Sequence, residues 1–142
     1  MSAFSAVVDR LQDDATLAAL LTGGVYDGES TPTVNRQATP DAFDAFGEML
    51  PCALVKAESA TPWGPLHDSG RLYLLVWLYD QHDYTVIETA RNRVYTLLHR
   101  EKVSGADLIY DVRHANDVLG AEVQGLEVAM IASRFVVTVQ RG

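Results

Sequence analysis

A chain of 142 residues, 48 % apolar with a mean hydropathy of +0.01, has the length for one domain with a core of its own. Its net charge of −8, with no basic patch of any size, argues against a protein that clamps nucleic acid by neutralising phosphates. The lone cysteine, Cys52, excludes an intrachain disulfide and a multi-thiolate zinc site. No apolar run reaches the roughly 18 residues of a membrane span.

In chain order, Phe4, Val7, Val8, Leu11, Leu17, Leu20 and Leu21 recur at helical intervals. Asp13-Asp14 interrupts them, as a kink or as a fresh N-cap for Ala15–Leu21. Gly23-Gly24 then supplies a left-handed helix end. The first residues lack the basic region of a signal peptide and soon turn acidic, which points to synthesis in the cytoplasm. Val25–Asp27 is a short extended piece. From Gly28 to Leu50 the chain is a long polar loop, with room for one helical turn near Pro40–Phe46. Asp27, Glu29, Asp41, Asp44 and Glu48, against Arg36 alone, make Val25–Leu50 the acidic part of the chain. Such a loop is ordinarily a solvated surface; a lumen-facing or docking role is the sharper alternative.

Pro51–Glu58 reads as a strand in which Cys52 is a small buried hydrophobe. The Thr61–Gly70 connection, rich in proline and glycine, makes a hairpin and carries Trp63 near its tip. Trp63 either folds back onto its own core or anchors a contact with another subunit. The next strand, Arg71–Asp80, organises the rest. Leu72, Leu74, Val76 and Leu78 form one face; Tyr73, Leu75, Trp77 and Tyr79 form the other, so both faces require cover. The aliphatic face suits the chain's own helices, and the ring-bearing face suits a second layer or a partner subunit. A helix over Asp83–Arg100 follows, capped by Asp83, with Ile87, Ala90, Val94, Leu97 and Leu98 inward. Arg91, Arg93 and Arg100 turn outward as a solvated basic face with Lys102. Ala106–His114 has the alternation of an edge strand, Asp117–Gln124 reads as a turn, and Leu126–Gln140 returns along the sheet. The sum is an α+β fold: an antiparallel sheet of four to five strands with two main helices on one face.

Chemistry is sparse. The His67-Asp68 and His82-Asp83 neighbours do not make dyads, and His99 ends a helix, where a cation suits the dipole. Asp111 and His114, three apart on a strand, point to opposite faces. Neither G-x-S-x-G nor a phosphate loop occurs. We therefore assign no catalytic residue, no metal ligand and no cofactor.

The segments LLTGGVYDG (Leu20–Gly28), LPCALVK (Leu50–Lys56), LVWLYD (Leu75–Asp80) and ETARNRVYTLLH (Glu88–His99) resemble, in order, those of tail-terminator and tail-completion proteins of long-tailed bacteriophages. The resemblance spans most of the chain, but the stretch Glu29–Met49 departs from the shortest members and leaves that loop's role open. It implies a homo-oligomer, a hexameric ring that caps the tail tube in the virion, without catalysis. Its partners would be the tail tube protein and the head connector or stopper, with DNA passing through unbound. On that reading Trp63, Tyr73, Trp77 and Tyr79 are subunit-interface candidates, set against the edge strand Ala106–His114. The alternatives are a neighbouring head-completion, connector or minor tail protein, a small hydrolase built on the Val25–Leu50 loop and His67, and a binding module for a host peptide.

Overall fold

A computed structural model describes residues 3–31, 33–35, 37–62, 70–81, 84–99, 102–105, 108–119 and 129–141. Helix α1 (Ala3–Gln12) leads into α2 (Ala15–Leu20), then strand β1 (Val25–Asp27) and a long loop with one 3-10 turn at Pro40–Ala42. Strands β2 (Cys52–Pro62) and β3 (Gly70–Asp80) precede α3 (Thr85–Leu98), and β4 (Lys102–Gly105), β5 (Leu108–Leu119) and β6 (Ala129–Arg141) finish the chain.

The fold is α+β. The sheet has the order β1-β2-β3-β6-β5-β4, with β3 and β6 at its centre. Two features depart from the sequence reading. The sheet is mixed, because β1 runs parallel to β2 while the other neighbours are antiparallel. It also has six strands among the described residues, because β4 adds to one side. That addition moves β5 to the interior, so the stretch placed at the edge by its alternation is hydrogen-bonded on both sides. A four-residue strand next to a helix end offers too few residues for a period to be read.

The helices pack on the aliphatic face. Leu74, Val76 and Leu78 are wholly buried against Phe4, Val7, Leu11, Leu17, Ile87, Ala90, Val94 and Leu98. Phe135 and Val137 of β6 join the same core. At roughly 1.5–3 kcal/mol per fully buried aliphatic or aromatic side chain, this layer is the main source of stability.

Asp14 is the N-cap of α2, its carboxylate accepting from the Leu17 amide at 2.8 Å. The same carboxylate receives Arg93 of α3 in a two-point contact, 2.9 Å from Nε and 2.6 Å from the terminal nitrogen. Arg93 therefore serves helix–helix docking while its side chain stays partly exposed. Just past α2, Gly24 has a φ of +99°, the left-handed conformation that the glycine pair predicts. Helix α3 starts at Thr85, and no side chain caps it at Tyr84; the expected cap, Asp83, lies outside the described residues.

A candidate interaction surface and a polar lock

The two sides of the sheet differ in chemistry. On the far side from the helices, Tyr73, Leu75, Trp77 and Tyr79 are all half-buried. The register places Val136 beside Tyr73, Arg134 and Lys56 on either side of Leu75, and Ala132 and Leu54 on either side of Trp77. Arg113 lies opposite Val136. Directly opposite positions on neighbouring strands set Cβ atoms about 4.5–5.5 Å apart, so these residues form one continuous surface. Among the described side chains there, the charged ones named by this register are basic: Lys56, Arg113 and Arg134.

One end of this surface is covered by the Gly28–Leu50 loop. Ala42, Met49 and Cys52 are buried together, with Tyr26, Val34, Phe43 and Tyr79 packed against them. Burial pushes the Tyr79 hydroxyl and the Cys52 thiol each up to about 12, and the nearby Asp80 adds to the effect on Cys52. Cys52 is thus a protonated, inert hydrophobe, as its place in the sequence suggests. The expectation that this face is underprovided with cover holds for its middle but not for this end. No periodicity marks the loop as a lid, because its apolar contacts come singly.

The loop is held by local hydrogen bonds. Asn35 Oδ1 accepts from the amides of Gln37 and Ala38, at 2.9 and 2.6 Å. Pro40 opens the 3-10 turn, shorter than the turn the sequence allows. Phe43 and Met49 then bridge as a miniature antiparallel pair. Within it Asp44 Oδ1 accepts from the amides of Phe46 (2.8 Å) and Glu48 (3.0 Å), and Gly47 adopts a φ of +80°. This construction holds Phe46 out at the tip, 90 % exposed.

Of the acidic candidates, Asp27 accepts from the Glu29 amide at 2.8 Å and shapes the turn after β1. Asp44 shapes the Phe46 tip. Glu29, Asp41 and Glu48 are exposed. The structure brings Asp44 and Glu48 together through the tip and does not gather all five into one site. Trp63 and His67 lie outside the described residues.

On the helix side sits a polar cluster that the sequence reading misses. Asp117 Oδ1 accepts from Ser133 Oγ (2.5 Å) and contacts His114 Nε2 (2.8 Å), while Oδ2 pairs with Arg91 at 2.7 Å. His114 and Asp117 share a face despite their spacing because the β5–β6 register shifts between His114 and Asn116. His99, the C-cap of α3, accepts the His114 amide on Nδ1 at 2.9 Å and stacks on Tyr95. Burial raises the Asp117 carboxyl, but the hydrogen bonds from Ser133, His114 and Arg91 outweigh it, leaving it below the usual range. A serine, a histidine and an aspartate are present, yet the serine contacts the aspartate and not the histidine. A base that activates a hydroxyl must touch it, so this arrangement does not make a nucleophile. It locks α3 onto β5 and β6. Among the described residues no group of three or more His, Cys, Asp or Glu is arranged to hold a metal.

Comparison with solved structures finds this fold elsewhere. A chain from the virion of a native gene transfer agent particle superposes with a TM-score of 0.70 at 15 % identity. The match covers 99 % of this chain and 96 % of that one. No family model matches, and no curated protein sequence does. At that identity the likeness establishes a shared fold from end to end.

Proposed function

We propose that this chain is a structural protein of a phage-like virion, which closes the end of the tail tube as a ring and joins it to the head. The observation that carries the reading is the near-complete, two-way coverage between this chain and a chain of a virion particle. The two chains share one fold over almost the whole of the matched length. The half-buried Tyr73, Leu75 and Trp77 support it further, since apolar rings on a sheet face are well suited to a subunit contact. Trp63 belongs to the same proposal on its sequence setting alone.

The ring would be hexameric, with the tail tube protein on one side and the head connector or stopper on the other. DNA would pass through the channel without specific binding. The net charge of −8 favours sliding over holding, because carboxylates repel the phosphate backbone where lysines and arginines would bind it by releasing counterions. The acidic residues Asp27, Glu29, Asp41, Asp44 and Glu48 serve either the channel wall or docking. No catalysis is part of this role.

The test is genetic and visual. Deleting the reading frame in a strain that produces the particles should leave heads and tails unjoined under the electron microscope, with joining restored by the gene in trans. Normal joined particles from the deletion strain would overturn the proposal.

A further inference from the structure

Phe46 is the one large aromatic among the described residues that is almost fully in water. Leaving a phenyl ring wet forgoes the roughly 1.5–3 kcal/mol that burial would supply. The surrounding loop nevertheless fixes the backbone that carries it: the Phe46 and Glu48 amides donate to Asp44 Oδ1, the Asp44 amide donates to the Glu48 carbonyl at 2.9 Å, and the Gly47 amide donates to the Asp44 carbonyl at 3.0 Å. The base of the tip is anchored in the small core of Ala42, Met49 and Cys52. A loop backbone fixed in this way sets where the ring projects, which lowers the ordering cost of using it as an interface anchor. A DNA channel wall has no use for such a ring; a docking element does.

The chemistry around the ring points to its receiver. The tip carries Asp41, Asp44 and Glu48, so the anchor is apolar within a negative surround. The sheet face of the same molecule offers the converse: half-buried Tyr73, Leu75 and Val136 set among Lys56, Arg134 and Arg113. We propose that Phe46 of one copy docks on Tyr73, Leu75 and Val136 of the next, with its carboxylates facing those basic residues. The inference rests on the ring reading above and gives that ring its contact. Tip and face are different patches of one chain, so the contact is head-to-tail, the kind that closes into a ring by rotation. It also explains why the loop covers only the Tyr79 end of its own face: the remainder is kept for a neighbour.

The experiment uses the full chain, with mass in solution measured by analytical ultracentrifugation over a range of concentration and salt. Wild type should self-associate, and more weakly as salt rises, since the paired charges are screened. Phe46→Asp should weaken association by on the order of tenfold to a hundredfold, the loss expected for an anchor. Its melting temperature should be unchanged, because the ring touches little in the monomer. Arg113→Glu, also at an exposed position, should weaken association from the other side. A mixture of the two variants should give a one-to-one dimer that grows no further, because one supplies an intact face and the other an intact tip. Wild type that stays monomeric up to about 1 mM, affinities unaltered by Phe46→Asp, or a mixture that fails to pair would each overturn the docking. None of these results bears on whether particles join in the deletion strain, so the two proposals fail separately.

Discussion

The two faces of β3 are built from alternate residues of one strand, yet they end in different states. Leu74, Val76 and Leu78 are wholly buried under helices, while Tyr73, Leu75 and Trp77 are left half-covered. The difference lies in which elements return to each side. Helices α1, α2 and α3 all return to the aliphatic side, whereas the far side receives one loop, which reaches as far as Tyr79 and Cys52. Chain is thus spent on burying one side, and the middle of the other is left half-covered.

The comparison breaks most sharply with truncations on each side. Phe135→Ala, in the helix-side core and against His114, should destabilise the chain by about 3–5 kcal/mol in denaturant titration. Trp77→Ala, half-exposed on the far side, should cost about 1–2 kcal/mol, since only part of its area leaves water on folding. Equal losses at both positions would mean that the faces are not divided between stability and assembly.

The lock comes next in size. Asp117→Ala removes the acceptor for Ser133, His114 and Arg91 together and strands donors that are largely out of water. A loss of about 1.5–3 kcal/mol is expected by the same titration, with Asp117→Asn recovering part of it. If the variant unfolds like wild type, the Asp117 cluster does not hold α3 in place.

Sequence patterning revealed the helix-side half of this molecule well. The alternation of Leu72 to Leu78 and the spacing of Ile87, Ala90, Val94 and Leu98 are regular enough to give both faces and the helix between them. The Asp14 cap and the Gly23-Gly24 helix end follow from local chemistry that any chain must satisfy. What stayed hidden depends on non-local pairing. Nothing in Val25–Asp27 says that it runs parallel to β2, and nothing in Lys102–Gly105 says that it covers β5. A bulge at Ala115 leaves no mark in composition, so the meeting of His114 with Asp117 could not be read. Phe46 was legible only as a possible turn residue, because its exposure is set by the Asp44 hydrogen bonds and not by a pattern. The ring-bearing face was legible as a surface in want of cover, but its partial lid was not.

The smallest effect concerns the helix layer's outer seam, where Asp14 both caps α2 and receives Arg93. Asp14→Ala should cost about 1 kcal/mol at neutral pH, chiefly through the lost cap, since an exposed ion pair adds little. The pH dependence separates this carboxylate from passive surface acids. The Arg93 hydrogen bonds hold the Asp14 carboxyl below its ordinary value of 3.8, with burial opposing them and the Leu17 amide assisting. The folded chain therefore binds this proton less readily than the unfolded chain. Its contribution is complete above the ordinary value and disappears as pH falls through the lower, folded one. The stability gap between wild type and Asp14→Ala should accordingly be wider at pH 6 than in strong acid, where the protonated carboxyl retains only a neutral cap. A gap that stays constant down to pH 2 would mean that the charge on Asp14 adds nothing, and that its neutral cap on the Leu17 amide accounts for the whole loss.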